Sequence, residues 1–255
     1  MKKVFSILMV ALFATAMVAC GEKDNSGSGD NPGGGDNPGG GDNPGGTTAE
    51  WVDLGLPSGL LWASCNLGAT RPEDAGNYYA WGETQPKAEY SDHNYVHYIP
   101  DGETTHGGLT KYCNDAEAGY HGYVDTLTTL EASDDAAAAL LGNGARIPTK
   151  AQWEELLANC TGEWVYRNDN ILCYQLTGSN GNSILLPMTG YRDDDTGDGI
   201  AWYPDDGHYW SSTLNLEDPS WAWYFEHAYV SDVAEMTYTT RTRGLAIRAV
   251  RPAAR

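Results

Sequence analysis

The sequence predicts an α+β domain with two helices, short strands and unusually long loops, running from about residue 51 to the C-terminus. Three observations predict it. Lys150 to Asn159 reads as a helix, with Thr149 placed to cap it, Gln152 completing a capping box and Trp153, Leu156, Leu157 and Cys160 at helical spacing. After Thr161 the pattern turns to short strand-like runs. Polar and Gly-rich stretches separate those runs, notably 84–128 and 192–208, and loops of that length are usually functional or disordered.

Taken in order, the chain begins with Lys2 and Lys3, then an apolar run from Val4 to Val18 that ends in Met17-Val18-Ala19-Cys20. This is the layout of a secretory signal, and it is too short for a membrane span. The cysteine at the cleavage point resembles the lipobox of bacterial lipoproteins, which makes Cys20 the lipidation site. An ordinary signal peptide cut near Ala19 is the alternative. Residues 21–50 read as a linker, because Gly-Asp-Asn-Pro-Gly-Gly occurs three times there, at 29–34, 35–40 and 41–46. With no apolar residues for a core, the segment is expected to be a solvated spacer with a root-mean-square span of roughly 30 Å. Such a tether fits an anchored protein better than a secreted one. Glu22 and Asp24, just behind the cysteine, resemble a surface-export signal of the Bacteroidetes.

Within the domain, Leu60–Ala63 reads as a buried strand. A weaker helix covers Asp134–Leu141 and stops at Gly142. Strands are expected at Trp164–Arg167, Leu172–Thr177, Ile184–Pro187, Tyr209–Thr213, Trp221–Phe225 and Leu245–Val250.

Charge and cysteines narrow the function. Losing residues 1–20 removes two of 15 basic residues and none of the 35 acidic ones, so the formal net charge moves from −20 to −22. That balance argues against nucleic acid or anionic lipid as partners and suits a soluble exterior. Cys65, Cys113, Cys160 and Cys173 remain, and in an oxidising compartment they permit two disulfides in three pairings, or stay free. No CxxC or Cys/His cluster suggests zinc.

Several blocks resemble a known family. Val52 to Ala69 (VDLGLPSGLLWASCNLGA), Tyr79 to Thr84 (YAWGET), Arg146 to Leu157 (RIPTKAQWEELL), Tyr209 to Thr213 (YWSST) and Gly244 to Pro252 (GLAIRAVRP) occur in order over nearly all of 51–252. Together they are similar to the Fibrobacter succinogenes major paralogous domain, a large set of Bacteroidetes surface proteins. The resemblance extends to the formylglycine-generating, sulfatase-modifying superfamily. It implies a C-type-lectin-like fold whose N- and C-terminal strands pair and whose ligand surface is built on long loops. Val52–Leu54 and Ile247–Val250 are the strand candidates at the two ends.

That superfamily's oxidase chemistry needs a C-terminal cysteine pair, and no cysteine follows Cys173 here, so the activity is expected to be absent. His93 and His97 are four apart without the carboxylate of a three-ligand iron motif, and read as loop residues. Trp210-Ser211-Ser212 lacks a Gly-x-Ser-x-Gly elbow, and with Tyr209 reads as core and turn. Glu154 and Glu155 read as a solvated helix face rather than an acid/base pair. Asp193, Asp195 and Asp198 offer oxygen ligands that suit calcium, yet Pro204 stands where an EF-hand needs Glu, and a solvated turn is the plainer reading. Gln85-Pro86-Lys87 is a poor match to the calcium motif of sugar-binding C-type lectins, because the lysine repels the ion. No other cofactor is expected.

Residues 202–238 hold ten of the 28 aromatic residues, which marks them as a candidate binding surface or as filling for a strand-poor core. Trp221, Trp223 and Phe225 alternate on one strand face, with Ala222, Tyr224 and Glu226 on the other. Some members of the resembled family are variable proteins of diversity-generating retroelements, which implies 214–242 as the variable segment. Its candidate variable residues are Asn215, Asp218, Ser220, Tyr224, His227, Tyr229, Asp232, Tyr238 and Thr240. Mutated Asn codons do not reach Glu, Met or Trp, so Glu226, Glu235, Met236, Trp221 and Trp223 would be fixed or derive from other codons. Trp221 and Trp223 complete the expected ligand-binding set. Arg241, Arg243, Arg248, Arg251 and Arg255 are expected to pair with carboxylates and tie the last strand down.

The sequence thus describes a non-enzymatic surface lipoprotein of the outer membrane, with a monomeric lectin-like domain that recognises an extracellular protein or glycan and touches the membrane only through the lipid on Cys20. The alternatives are an oxidoreductase or modifying enzyme of the formylglycine-generating superfamily, and a structural surface protein without a specific ligand.

Overall fold

The computed structural model describes residues 50–102, 107–195, 199–201 and 203–253. Cys20, the signal segment and the linker repeats lie outside these residues. Small antiparallel sheets and two helices make an α+β fold. No helix among the described residues is long and apolar enough to cross a membrane.

Strands β1 (Trp51–Asp53) and β2 (Leu60–Ala63) form a hairpin, and the last strand of the chain, Val250–Pro252, pairs with the other edge of β2. The first and last strands therefore share a sheet, with β2 between them, and do not pair directly as the resemblance implied. The long stretch 84–128 carries a two-residue pair, β3 (Tyr98–Ile99) with β4 (Gly108–Leu109).

Helix α1 (Ala136–Leu141) starts at Asp135, whose carboxylate accepts from the Ala138 N–H, and ends at Gly142 with φ +58°, a conformation that suits glycine. Helix α2 (Lys150–Asn159) has the expected capping box between Thr149 and Gln152. It buries Trp153 and Leu156. Trp153 stacks on Phe225 with ring centroids 4.9 Å apart, a contact worth about 0.5–1.5 kcal/mol beyond its buried area.

Strands β5 (Cys160–Tyr166), β6 (Leu172–Gly178) and β7 (Ser183–Pro187) form a meander. A second meander joins β8 (Asp206–Leu214), β9 (Trp221–Ala228) and β10 (Val233–Thr240), with β9 central and a register shift in β8 between Trp210 and Leu214. The final strand is β11. The expected strand at Leu245–Val250 is instead mostly a run of single bridges: Leu245 to Tyr79, Ala246 to Tyr209 and Val250 to Arg146. Its side chains still alternate. Leu245, Ile247 and Ala249 enter one core cluster, while Ala246 and Val250 enter another.

The β8–β9–β10 sheet lies between these two clusters. Trp210, Ala222 and Tyr224 pack on one face; Tyr209 and Phe225 pack on the other, against Trp153 and the β5–β6–β7 sheet. Neither face of β9 is wholly free, so the simple one-face-core reading of Trp221–Phe225 does not hold.

The buried arginines correct the sequence reading in part. Arg248 is fully buried and donates to Asn66 Oδ1 and to the carbonyls of Ala63, Ser64 and Leu185. Arg241 donates to Tyr95 Oη and to the carbonyls of Lys111, Tyr112 and Pro219. Their partners are mostly backbone oxygens, not carboxylates, because both side chains enter the core beside irregular backbone that needs donors. Arg243 does meet a carboxylate, that of Asp193 at 3.4 Å. Cys113, Cys160 and Cys173 are free, which closes the two-disulfide option. Burial raises the Cys160 and Cys173 thiols to about 11 and leaves them poor nucleophiles.

Candidate functional site

The expected binding residues divide between the interior and the two ends of β9. Asn215, Tyr224 and His227 are buried and do not belong to an exposed surface. Asn215 turns inward because its carboxamide oxygen accepts from the Glu217 N–H at 3.0 Å and shapes the β8–β9 connection. Tyr224 lies on the face shared with Trp210 and Ala222, and its hydroxyl donates to Glu226 Oε2 at 3.2 Å. His227 is completely buried among Trp164, Tyr174, Tyr209 and Phe225, with ring centroids 5.6–5.7 Å away. Neither of its ring nitrogens has a hydrogen-bond partner, and burial holds its pKa down at about 3. Gly207, opposite on β8, leaves room for it, since a Cβ there would stand 2.2 Å from the imidazole.

At the start of β9, Trp221 and Trp223 are half-buried and flank Tyr238 of β10, which is 42% exposed. Tyr238 lies directly opposite Trp223, with ring centroids 5.4 Å apart, and 5.0 Å from Trp221. All three project from the same face of the sheet. Lys150, the first residue of α2, sets its ammonium 4.4 Å from the Trp223 ring centre. Asp218 and Ser220 are exposed on the adjoining turn, and Thr240 is partly exposed opposite Trp221. The result is a compact rim of three rings with hydroxyl and carboxylate groups at its edge.

At the other end of β9, roughly 24 Å away along the strand, the 229–232 turn holds Tyr229 and Asp232. Tyr229 meets Trp164 edge-on at 5.5 Å, and Asp232 accepts from Trp164 Nε1 at 3.1 Å. Asp232 occupies the left-handed region at φ +51°, which Asp tolerates in turns. The single expected surface is therefore two, separated by the length of a strand.

Between them, on the opposite face of the sheet, stands a group that sequence reasoning missed. Asp206, His208 and Glu226 each offer one ligand atom, all within 4.8 Å of one another. His208 is directly opposite Glu226 in the β8–β9 register, and Asp206 is two residues before His208 on the same face. Burial, then the charge of Arg243, lowers His208 to about 4, while burial and neighbouring acids raise Asp206 and Glu226. Glu226 lies 20 positions after Asp206 and 18 after His208, and only the strand register brings it to them.

Of the expected calcium ligands, Asp193 is engaged by Arg243, Asp195 is exposed and Asp198 lies outside the described residues. His93 is exposed, whereas His97 is buried at a cleft of about 500 Å³ that Gly82–Lys87, Asn94, Val96, Ser133 and Asp134 also line. In that cleft Lys87 is bound to Glu83 at 2.9 Å. Glu154 pairs with Lys150, and Glu155 accepts from the Ser58 N–H at 2.7 Å, so both helix carboxylates are tied to structure.

Comparison with known protein families, with curated proteins and with solved structures finds no match to this chain.

Proposed function

We propose that this chain is a surface-anchored lipoprotein whose C-type-lectin-like domain recognises an extracellular ligand, a glycan or a protein surface, and performs no catalysis. The observation that carries the reading is the rim of Trp221, Trp223 and Tyr238, three partly exposed rings grouped at one end of the β8–β9–β10 sheet. Flat rings of this kind supply large contact area at low entropic cost, and they stack on the apolar faces of sugars. Asp218, Ser220 and Thr240 supply polar groups beside them. Tyr229 and Asp232 form a separate, smaller contact point. The lipid on Cys20 and the linker at 21–50 hold the domain off the outer membrane in this reading, with the acidic exterior keeping it away from anionic partners.

If 214–242 is a retroelement-diversified segment, the side chains free to vary are Asp218, Ser220, Tyr229, Asp232, Tyr238 and Thr240, because Asn215, Tyr224 and His227 are packed inside. DNA beside the gene tests this: a reverse transcriptase and a near-copy of the 3′ end differing at adenines are expected. The binding reading is tested by screening the full-length protein on arrays of glycans and surface proteins beside Trp223→Ala and Tyr238→Ala. Binding that both variants weaken supports it. Absence of any binding partner, or binding untouched by both changes, rejects the rim as the recognition surface.

A further inference from the structure

The geometry points to a divalent transition-metal site between β8 and β9, where His208, Asp206 and Glu226 together hold one ion of the zinc or manganese class. This stands independently of the ligand-binding rim.

The first support is the ligand set. One imidazole with two carboxylates and no thiolate suits zinc, manganese or ferrous iron, whereas calcium and magnesium favour oxygen ligands throughout. Three protein ligands leave at least one coordination position for water. Ligand atoms around a tetrahedral zinc stand about 3.3 Å apart for bonds near 2.0–2.1 Å. The present spread, with all pairs within 4.8 Å, is at most about 1.5 Å wider than that.

The second support is independent of the acids. His208 is only 4% exposed, yet its Nδ1 has no hydrogen-bond partner, and its Nε2 faces Glu226 Oε1 from 3.9 Å, too far for a hydrogen bond. The buried imidazole thus faces a carboxylate across a gap that no direct hydrogen bond closes. An ion there would satisfy both.

The surroundings fit. Glu226 is positioned by the Tyr224 hydroxyl, which donates to Oε2 and leaves Oε1 turned toward His208. Glu235, opposite Glu226 on β10, adds negative charge on the same face. Arg243, whose charge reaches His208, is itself held by Asp193 Oδ2 at 3.4 Å and Thr239 Oγ1 at 2.8 Å and does not neutralise the two acids. Asp206 and Glu226 are partly exposed, so an ion has a route in.

The test uses the full-length chain stripped with EDTA and then dialysed against Zn²⁺, Mn²⁺ or Ca²⁺ in turn. Metal content and the thermal midpoint are read for wild type, Asp206→Asn and Glu226→Gln. One equivalent of Zn²⁺ or Mn²⁺ in the wild type, a raised midpoint, and at least a tenfold weaker affinity in both variants are expected. Asp206→Asn, at the partly exposed start of β8, decides the matter if Glu226→Gln does not fold. No stoichiometric uptake by the wild type overturns the site. So does uptake that Asp206→Asn leaves unchanged, which would put the ion elsewhere, or a preference for Ca²⁺ over both transition metals, which would remove the role of His208.

Discussion

Arg248 donates its Nε to Asn66 Oδ1 at 2.9 Å, joining residues 182 positions apart in the chain. The same guanidinium reaches the carbonyls of Ala63, Ser64 and Leu185, so one side chain ties the end of β2, β7 and the last segment of the chain together. Burial pulls its pKa down to about 10, still far above neutrality, and the charge persists. Arg248→Lys cannot span all four acceptors, because an ammonium lacks the planar fork. Leaving buried carbonyls unpaired should cost about 2–3 kcal/mol. Urea denaturation checks this; a loss under 1 kcal/mol would mean that the guanidinium is not the clasp.

The aromatic rim makes a positional prediction. With a ligand in hand, Trp223→Ala and Tyr238→Ala should each weaken binding at least tenfold, about 1.4 kcal/mol, as expected of ring anchors. Tyr229→Ala, at the far end of β9, should leave affinity within twofold. Titration calorimetry separates the two ends. Equal losses at both would indicate a ligand spanning the strand.

Acid sensitivity follows from His97. Burial, then Arg241, holds its pKa at about 4 although Asp134 stands 3.7 Å away and opposes them, with Lys111 adding to the depression. The unfolded chain takes up this proton near pH 6.5 and the folded chain near 4. Stability from His97 is therefore complete above about pH 6.5 and is lost as pH falls through 4, with about 3 kcal/mol at stake. His97→Gln should flatten the stability profile between pH 6.5 and 4. Part of the slope should remain, since burial also depresses His208 and His227. A profile unchanged by the substitution would show that His97 does not control it.

The helix cap offers a local check. Thr149→Ala removes the side-chain acceptor for the Gln152 N–H and should cost about 1 kcal/mol. In a domain of this size that lowers the melting temperature by about 2–4 °C. Calorimetry that shows no shift would mean water replaces the cap without penalty.

These residues also show what a sequence can and cannot reveal. Helix α2 was legible to the residue because its start signal is local: Thr149, Gln152 and the apolar spacing sit within a few turns. Strand β10 was missed, because Val233–Thr240 mixes Glu, Thr, Met and Tyr without an apolar rhythm and is defined by pairing with β9. The rim was half legible. Trp221 and Trp223 announce themselves, but the contact of Tyr238 with both depends on the register across the 229–232 turn. His227 reads as a surface residue until the packing of Trp164 and Tyr174 encloses it. Of the Asp206, His208 and Glu226 group the sequence shows only the Asp-x-His spacing of 206 and 208, and Glu226 joins them solely through the β8–β9 register.

The position of β2 between β1 and β11 has a mechanical meaning. If the domain is held through its N-terminal side, as proposed above, a pull arriving through residue 50 meets the three paired residues of β1 first. The opposite flank of β2 is fastened by β11, with Arg248 gripping the carbonyl at its end. Stress is thus met at an edge that can peel while the β8–β9–β10 sheet keeps its shape. In that proposed arrangement, rupture there would release a few residues of chain and spare the aromatic rim, so that the short N-terminal strand acts as a shock absorber.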